Sequence, residues 1–184
     1  MNYKMTIAGL ERELPLFPVS DEVQIAAFIL FGDVEMTEVA ARELLKKAPE
    51  FDIILSAEAK SIPLVHEMSK QKGLNDYVIA RKGVKVYMEN PISVDVVSIT
   101  TQHQQHLYLG QDSVALLKAK KVLIVDDVIS TGESLKAMEA LVNKAGGNIV
   151  GKMAVLAEGD AYNRSDITVL GQLPLFNIIG EPIK

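Results

Sequence analysis

Residues 122–134 read VLIVDDVISTGES and decide the fold, because they join a buried strand to a polar turn and a helix. Residues 122–125 form a continuous apolar run with three β-branched members, which is typical of a strand covered on both faces in a parallel sheet. Asp126 and Asp127 then follow at the carboxyl end of this predicted strand. Open α/β sheets bind their ligands at that edge, so we predict a binding site at the acidic pair.

The turn after the acidic pair has the composition of an anion-binding turn. Its five residues are Ser130, Thr131, Gly132, Glu133 and Ser134, and an amphipathic helical pattern follows them. Backbone N–H groups of such a turn, together with the positive end of the helix, can surround a phosphate, and Gly132 permits the close approach. The two carboxylates would repel the same phosphate, so they are expected to face hydroxyls or a cation. A sugar phosphate satisfies both halves. The alternative is a buried strand that ends in a polar loop and a helix cap.

Size and composition indicate one enzyme-sized domain over residues 1–184. A chain of 184 residues with 48% hydrophobic content is long enough to bury a core, and the absence of cysteine excludes disulfides and thiolate metal sites. Charges interrupt the first residues, and no apolar run approaches the roughly 18 residues of a membrane span. We therefore expect a cytoplasmic protein without membrane contact. The net charge of -5 argues against nucleic-acid binding.

The rest of the chain alternates strand and helix patterns. Helical spacing covers residues 34–47 and 62–72, and strands are predicted at residues 51–56, 77–80, 122–125 and 149–156. This order predicts an α/β fold, with a mainly parallel sheet and helices on both of its faces.

Two regions lie outside this alternation. Residues 90–110 alternate like a hairpin around a polar centre and are predicted to form a flexible flap, whereas about residues 1–33 and 158–184 are predicted to form a small hood over the sheet edge. His103 and His106 in the flap have an i, i+3 spacing that could bind a metal, but no third ligand stands nearby, so solvated histidines are the favoured alternative.

The apolar strand, the Asp-Asp pair and the Thr-Gly-x-Ser sequence resemble the phosphoribosyl pyrophosphate (PRPP) motif of type I phosphoribosyltransferases, closest to the adenine/purine group. The resemblance implies that fold, and it implies that Asp126 and Asp127 are the catalytic acids that hold the ribose hydroxyls. Residues 130–134 would bind the 5′-phosphate. Many members have glycine at the position of Glu133, so its carboxylate is expected to point away from the phosphate.

The same resemblance implies a pyrophosphate site in two further loops. The six residues assigned to it are Glu58, Ala59, Lys60, Arg81, Lys82 and Lys85. Lys60 and Ser61 stand where adenine phosphoribosyltransferases carry Arg-Gly, and a lysine keeps the charge but loses the bidentate geometry. Cations of the second loop reach pyrophosphate partly across a dimer interface in similar enzymes, which implies a homodimer. A solvated charge cluster is the alternative for this loop.

The implied reaction transfers ribose 5-phosphate from PRPP to a nucleobase, releases pyrophosphate and serves purine salvage. Magnesium would bind through the substrate, without direct protein ligands. Ala26 and Phe28 could form an apolar slot for the base, although Phe28 is equally explained as core. The predicted flap lacks the Glu of adenine-specific members, so xanthine, hypoxanthine or orotate stay open as bases. A non-catalytic PRPP-sensing regulator is the other alternative.

Overall fold

The computed structural model describes residues 1–96 and 105–183. Ten strands and four α-helices are present in the described residues, together with one 3₁₀-helix at Gly159–Asn163. In chain order they are β1 (Asn2–Ile7), β2 (Leu10–Pro18), β3 (Gln24–Ala26), α1 (Val34–Lys47), β4 (Ile53–Ala57), α2 (Ile62–Lys72), β5 (Val78–Ala80), β6 (Ile92–Val96), β7 (Gln105–Leu109), α3 (Gln111–Leu117), β8 (Lys121–Ile129), α4 (Glu133–Ala145), β9 (Asn148–Glu158) and β10 (Thr168–Leu173).

The central sheet has five strands in the order β10-β9-β8-β4-β5, and every neighbouring pair is parallel. From β4 the chain proceeds to β5 on one side, whereas from β8 it proceeds to β9 and β10 on the other. The direction of strand order therefore reverses between β4 and β8. In open α/β sheets a ligand crevice lies at the carboxyl ends of such a strand pair. The predicted fold class is confirmed.

Two hydrophobic cores cover the two faces of the sheet. Leu123 and Val125 of β8 pack into one core with α1, α2 and the N-terminal strands, and Val122 and Ile124 pack into the other with α4. All four side chains are fully buried. Burial on both faces explains why β8 is continuously apolar and does not alternate with polar residues.

The helices around this sheet begin and end where local chemistry dictates. The Asp33 carboxylate accepts a hydrogen bond of 3.0 Å from the Met36 amide and caps α1, and two lysines occupy the last turn. Helix α2 ends at Gly73 in the left-handed conformation. The bounds of α1 and α2 agree with the sequence prediction.

Other boundaries differ from the prediction. Strand β8 continues to Ile129, because its last residues pair with Ala154 to Ala157 of β9, so Asp126 and Asp127 lie within the strand and not after it. Strand β10 falls in the segment assigned to the hood, but it forms an edge of the central sheet. Helix α3 was not predicted. These elements depend on pairing and packing with distant residues, which local patterns do not report.

The terminal segments meet beside the central sheet. Strands β1, β2 and β3 form an antiparallel sheet, and Phe176 is fully buried and bridges to Gln24. The Phe176 ring also contacts Tyr3, with ring centroids 4.7 Å apart.

Strands β6 and β7 form an antiparallel pair at the position of the predicted flap. His103 lies outside the described residues. His106 Nδ1 lies 2.8 Å from the Asp95 carboxylate, and within the described part of the chain no group of three His, Cys, Asp or Glu residues could hold a metal ion. None of the helices described is both long and apolar enough to span a membrane.

Candidate active site

The acidic pair lies on β8 at the reversal of strand order. Asp126 is partly exposed, and its Oδ1 accepts a hydrogen bond of 2.9 Å from the Asp127 amide. Asp127 is 4% exposed, and its Oδ2 lies 3.0 Å from Lys60 Nζ. No described residue donates a hydrogen bond to this oxygen, so the Lys60 contact is an ion pair without hydrogen-bond geometry. The buried carboxylate therefore retains acceptor capacity for a ligand.

Burial makes two acids on this side of the cleft, Asp126 and Glu158, hard to ionise. It raises the pKa of Asp126 well above its usual value, and the neighbouring charge of Asp127 raises it further. Burial also raises the pKa of Glu158, at the end of the adjacent strand β9, and the charge of Lys60 opposes this shift. Hydroxyl donors or a cation would relieve this cost. The sequence prediction of the site does not include Glu158. Its position beside β8 depends on the pairing of β9 with β8.

The turn between β8 and α4 forms a small concave site. Its cavity has a volume of about 50 Å³ and is lined by Asp126, Val128, Ile129, Ser130, Thr131, Gly132, Glu133, Ser134 and Leu135. Gly132 has a φ of +81° and caps the 13-residue helix α4, whose positive end therefore faces the turn. Ser130 and Thr131 are exposed, and Glu133 is partly exposed. The direction of the Glu133 carboxylate stays a prediction.

The loop between β4 and α2 is fixed by buried hydroxyls. The Oγ atoms of Ser56 and Ser61 lie 2.7 Å apart, and Ser61 Oγ donates to the Ala57 carbonyl at 3.1 Å. The Glu58 amide donates to the Ala80 carbonyl at 2.9 Å, which ties the loop to the end of β5. The peptide bond between Glu58 and Ala59 is cis. The hydrogen bonds of Ser56, Ser61 and the Glu58 amide hold Glu58, Ala59 and Lys60 at the edge of the sheet.

Glu58 faces cations of the neighbouring loop. Its carboxylate accepts hydrogen bonds from Arg81 Nε at 2.7 Å and from the Lys82 amide at 2.5 Å. Burial raises the pKa of Glu58, but these bonds outweigh it, and the net pKa is lowered. Arg81 also donates to the Tyr87 hydroxyl at 2.6 Å. Direct contact of the Glu58 carboxylate with pyrophosphate would join like charges, so this geometry favours a positioning role.

A cavity of about 410 Å³ brings the acidic pair together with the loop after β4. Its lining consists of Ala57, Glu58, Ala59, Lys60, Ser61, Lys82, Leu107, Asp126, Asp127, Val128 and Ser134. Asp126, Val128 and Ser134 also line the small cavity of the turn, so the two spaces adjoin. The linings of the two cavities join both acids, the turn and two of the four predicted cations. Leu107 and Val128 are additions that sequence reasoning missed.

Four predicted residues line neither of these two cavities. Arg81 is held by Glu58, and Lys85 is partly exposed. Ala26 and Phe28 are 3% and 4% exposed and belong to the core shared by the N-terminal strands and α1. Their burial favours the core interpretation, and the base contact stays a prediction.

A second, larger cavity lies away from the acidic pair. Its volume is about 480 Å³, and it lies between the loop before α1 and the face of α2. Its lining is mainly apolar, and its Lys70 and Glu67 side chains pair with each other at 3.2 Å. The chemistry of phosphate binding is therefore better supplied by the smaller cleft at β4 and β8.

Comparison with known proteins agrees with this geometry. The family model described as "Phosphoribosyl transferase domain" matches residues 35–177. The chain is 31% identical to the hypoxanthine/guanine phosphoribosyltransferase of Methanococcus voltae, over 81% of this chain and 73% of that protein. It is also 31% identical to the adenine phosphoribosyltransferase of Thermosipho africanus, over 89% of this chain and 93% of that protein.

Solved structures show the same architecture. The adenine phosphoribosyltransferase of Thermoanaerobacter pseudethanolicus superposes with a TM-score of 0.72 at 20% identity, covering 87% of this chain and 95% of that one. The enzyme of Giardia lamblia complexed with 9-deazaadenine gives a TM-score of 0.69 at 16% identity, covering 94% and 93%. The extent of the family match and the identity to both groups of relatives lead to one conclusion: the chain belongs to the phosphoribosyltransferase family.

Proposed function

We propose that the protein transfers ribose 5-phosphate from PRPP to a purine base and releases pyrophosphate, as an enzyme of purine salvage. The observation that carries this proposal is the single cleft at β4 and β8, in which two acids, an anion-binding turn and two lysines line adjoining cavities. PRPP carries hydroxyls, a phosphate and a pyrophosphate on one ring. Each part of the substrate has a matching group in the cleft.

The ribose and its 5-phosphate occupy the β8 side of the cleft. Asp126 and Asp127 accept hydrogen bonds from the ribose hydroxyls, and their negative charge stabilises positive charge that develops on the sugar. The N–H groups of residues 130–134 donate to the 5′-phosphate, with the hydroxyls of Ser130, Thr131 and Ser134 as further donors. This division separates the carboxylates from the phosphate anion.

The leaving pyrophosphate occupies the β4 side. Lys60 and Lys82 line the cavity there, and the amides and cations of the loops after β4 and β5 complete the site. Glu58 holds Arg81 and the Lys82 amide in position. The contribution of these groups is positioning and charge stabilisation, without a covalent nucleophile.

Magnesium is the cofactor that fits this donor set. The acids offer hard oxygen ligands, and Mg²⁺ usually keeps several waters and binds largely through substrate phosphates. When bound, magnesium neutralises negative charge on the pyrophosphate.

The base is proposed to be a purine. Relatives named for adenine and for hypoxanthine/guanine match this chain at the same 31% identity, so both classes of purine are candidates. Residues 97–104 of the predicted flap lie outside the described residues. Nucleotide formation measured with each base separately distinguishes these purines from xanthine, from orotate and from a PRPP-sensing role.

We further propose that the protein is a cytoplasmic homodimer. Apolar side chains before α1 and after β5 are exposed, with Phe31 at 54% and Val86 fully exposed. A second copy of the chain would cover them. Light scattering coupled to size exclusion tests this state directly, and a monomer at assay concentration would contradict it.

Nucleotide formation tests the function. The protein is mixed with magnesium and PRPP and with adenine, hypoxanthine, guanine, xanthine or orotate in separate reactions. We expect one or two purines to yield the nucleotide and pyrophosphate in equal amounts. Turnover with orotate alone would overturn the purine assignment. PRPP binding without any product would replace the enzyme with a sensor.

A further inference from the structure

Arg164 lies against the phosphate turn, although no motif of the sequence points to it. Its Nη1 atom packs over Gly132, so closely that a Cβ at Gly132 would collide with it. The residue follows the 3₁₀-helix after β9 and is 26% exposed in its side chain. A guanidinium therefore stands beside the turn that opens α4.

A charge network fixes this guanidinium. Arg164 Nε and Nη2 donate to the two carboxylate oxygens of Asp166 at 2.9 and 2.8 Å. Lys152 donates to Asp166 at 2.5 Å and to Glu139 of α4 at 2.8 Å. The bidentate pair leaves Nη1 as the guanidinium nitrogen that donates to no residue in the described ranges. The side chain is thus preorganised, with both N–H groups of Nη1 unused by the described residues.

Asp166 balances the charge of Arg164 on one side of the guanidinium, and Nη1 lies on the side that contacts Gly132. A helix N-terminus carries partial positive charge and favours negative groups. Arg164 adds a full positive charge beside the start of α4, and its pKa is raised by the hydrogen bonds to Asp166, so it stays protonated. Gly132 lines the adjoining cavity of about 50 Å³, so Arg164 Nη1 lies against one of the residues that would surround a phosphate there.

We propose that Arg164 supplies the positive charge of the 5′-phosphate site and that Nη1 donates to the bound phosphate. This inference rests on the proposed function, because it assigns a residue to the same substrate. It explains how a turn that contains Glu133 and follows two aspartates attracts a dianion. The backbone amides of the turn surround the phosphate and donate hydrogen bonds, and Arg164 adds a positive charge, which no residue of the turn carries.

Calorimetric binding of ribose 5-phosphate and of pyrophosphate tests the assignment. The proteins are the full chain, Arg164→Gln, Arg164→Lys and the control Arg42→Gln, which removes an exposed arginine of α1 paired with Glu43. We expect Arg164→Gln to weaken ribose 5-phosphate binding about tenfold, because a hydrogen bond to a charged group is lost. Pyrophosphate binding should change less than about twofold, and Arg164→Lys should recover most of the loss because it keeps the charge.

Three results would overturn the inference. Ribose 5-phosphate could bind Arg164→Gln as tightly as Arg42→Gln, both ligands could weaken equally, or the lysine variant could bind as poorly as the glutamine variant. The last result would mean that Arg164 only braces the turn. Thermal unfolding of each variant checks that the fold is retained. Any of these results rejects only the role of Arg164 in phosphate binding. The proposed function stands if the unmodified chain still forms nucleotide.

Discussion

The two sides of the cleft differ in how their charges are balanced. On the β8 side, burial raises the pKa values of Asp126 and Glu158, and Asp127 keeps an oxygen that accepts no hydrogen bond from the described residues. On the β4 side, Glu58 pairs with Arg81, and its pKa is lowered. Without substrate, the negative charges of the acids on the β8 side are therefore unfavourable. On the β4 side, the Arg81 guanidinium neutralises the Glu58 carboxylate.

This difference indicates where binding free energy is gained. In the proposed assignment, ribose hydroxyls would relieve a cost that folding imposes on the acids of the β8 side, whereas pyrophosphate would compete with the ion pair of Glu58 and Arg81 on the β4 side. On the β8 side, the acidic pair and the turn come from one continuous segment, whereas the β4 side joins two loops through the Glu58 and Arg81 side chains. We expect substitutions to have larger effects on the first side than on the second.

The largest effect is expected from removing both acids. Asp126→Asn combined with Asp127→Asn should weaken PRPP binding at least a hundredfold, because each hydrogen bond to a charged group contributes about 1.5–3 kcal/mol. Isothermal calorimetry measures the affinity, and circular dichroism checks that the fold is intact. Unchanged PRPP affinity in the folded variant would remove the ribose assignment.

The next effect concerns the shape of the turn. Gly132→Ala places a Cβ at a φ of +81° and against Arg164, and the left-handed conformation alone costs about 1–2 kcal/mol. We expect ribose 5-phosphate affinity to fall more than tenfold, with little change for pyrophosphate. Gly73→Ala is the matched control, because Gly73 has a φ of +79° and open space at the end of α2. Equal binding by the two variants would contradict the role of this turn.

A moderate effect is expected on the opposite side. Replacing Arg81, Lys82 and Lys85 by Ala should weaken pyrophosphate about tenfold and ribose 5-phosphate less than about twofold, because the loss of charge is local. The control replaces three cations of α1, Arg42, Lys46 and Lys47, and so changes the net charge equally. A similar loss for both ligands would show that the cleft is not divided as proposed.

A smaller effect should follow from Glu58→Gln. The variant keeps the shape but weakens the bonds to Arg81 and the Lys82 amide, so we expect about threefold weaker pyrophosphate binding. Glu89→Gln, at an exposed position, serves as the control. Tighter pyrophosphate binding in Glu58→Gln would mean that Glu58 competes with the ligand and does not position its partners.

The comparison also predicts an effect on stability. The folded-state pKa of Asp126 is raised, so its contribution to stability is fully present below the unfolded pKa of about 4 and is lost as pH rises through the folded value. Asp126→Asn should therefore unfold at a higher temperature than the unmodified chain at pH 7, with the difference narrowing toward pH 4. Calorimetric melting across this range measures it. A lower melting temperature at pH 7 would show that the acid is satisfied within the fold.

Local patterns predicted the elements whose signals are local. The apolar run before Asp126, the Asp33 cap and the glycine after residue 72 lie within a few positions of the structures they specify. The prediction of β10 as part of the hood was wrong, because its place depends on pairing with β9. The end of β8 was also misplaced, for the same reason. Local sequence cannot report a hydrogen-bonded partner that is more than ten residues away.

The sequence by itself determined the turn between β8 and α4 and the acidic pair before it, because a strand, two carboxylates and a glycine turn are consecutive in the chain. Only the tertiary structure decided what surrounds them. It paired Lys60 with Asp127, turned Glu58 toward Arg81, and set Arg164 against Gly132. These contacts join residues more than twenty positions apart in the sequence. Each requires a particular distance and direction between side chains, and only the packing of the folded sheet fixes them.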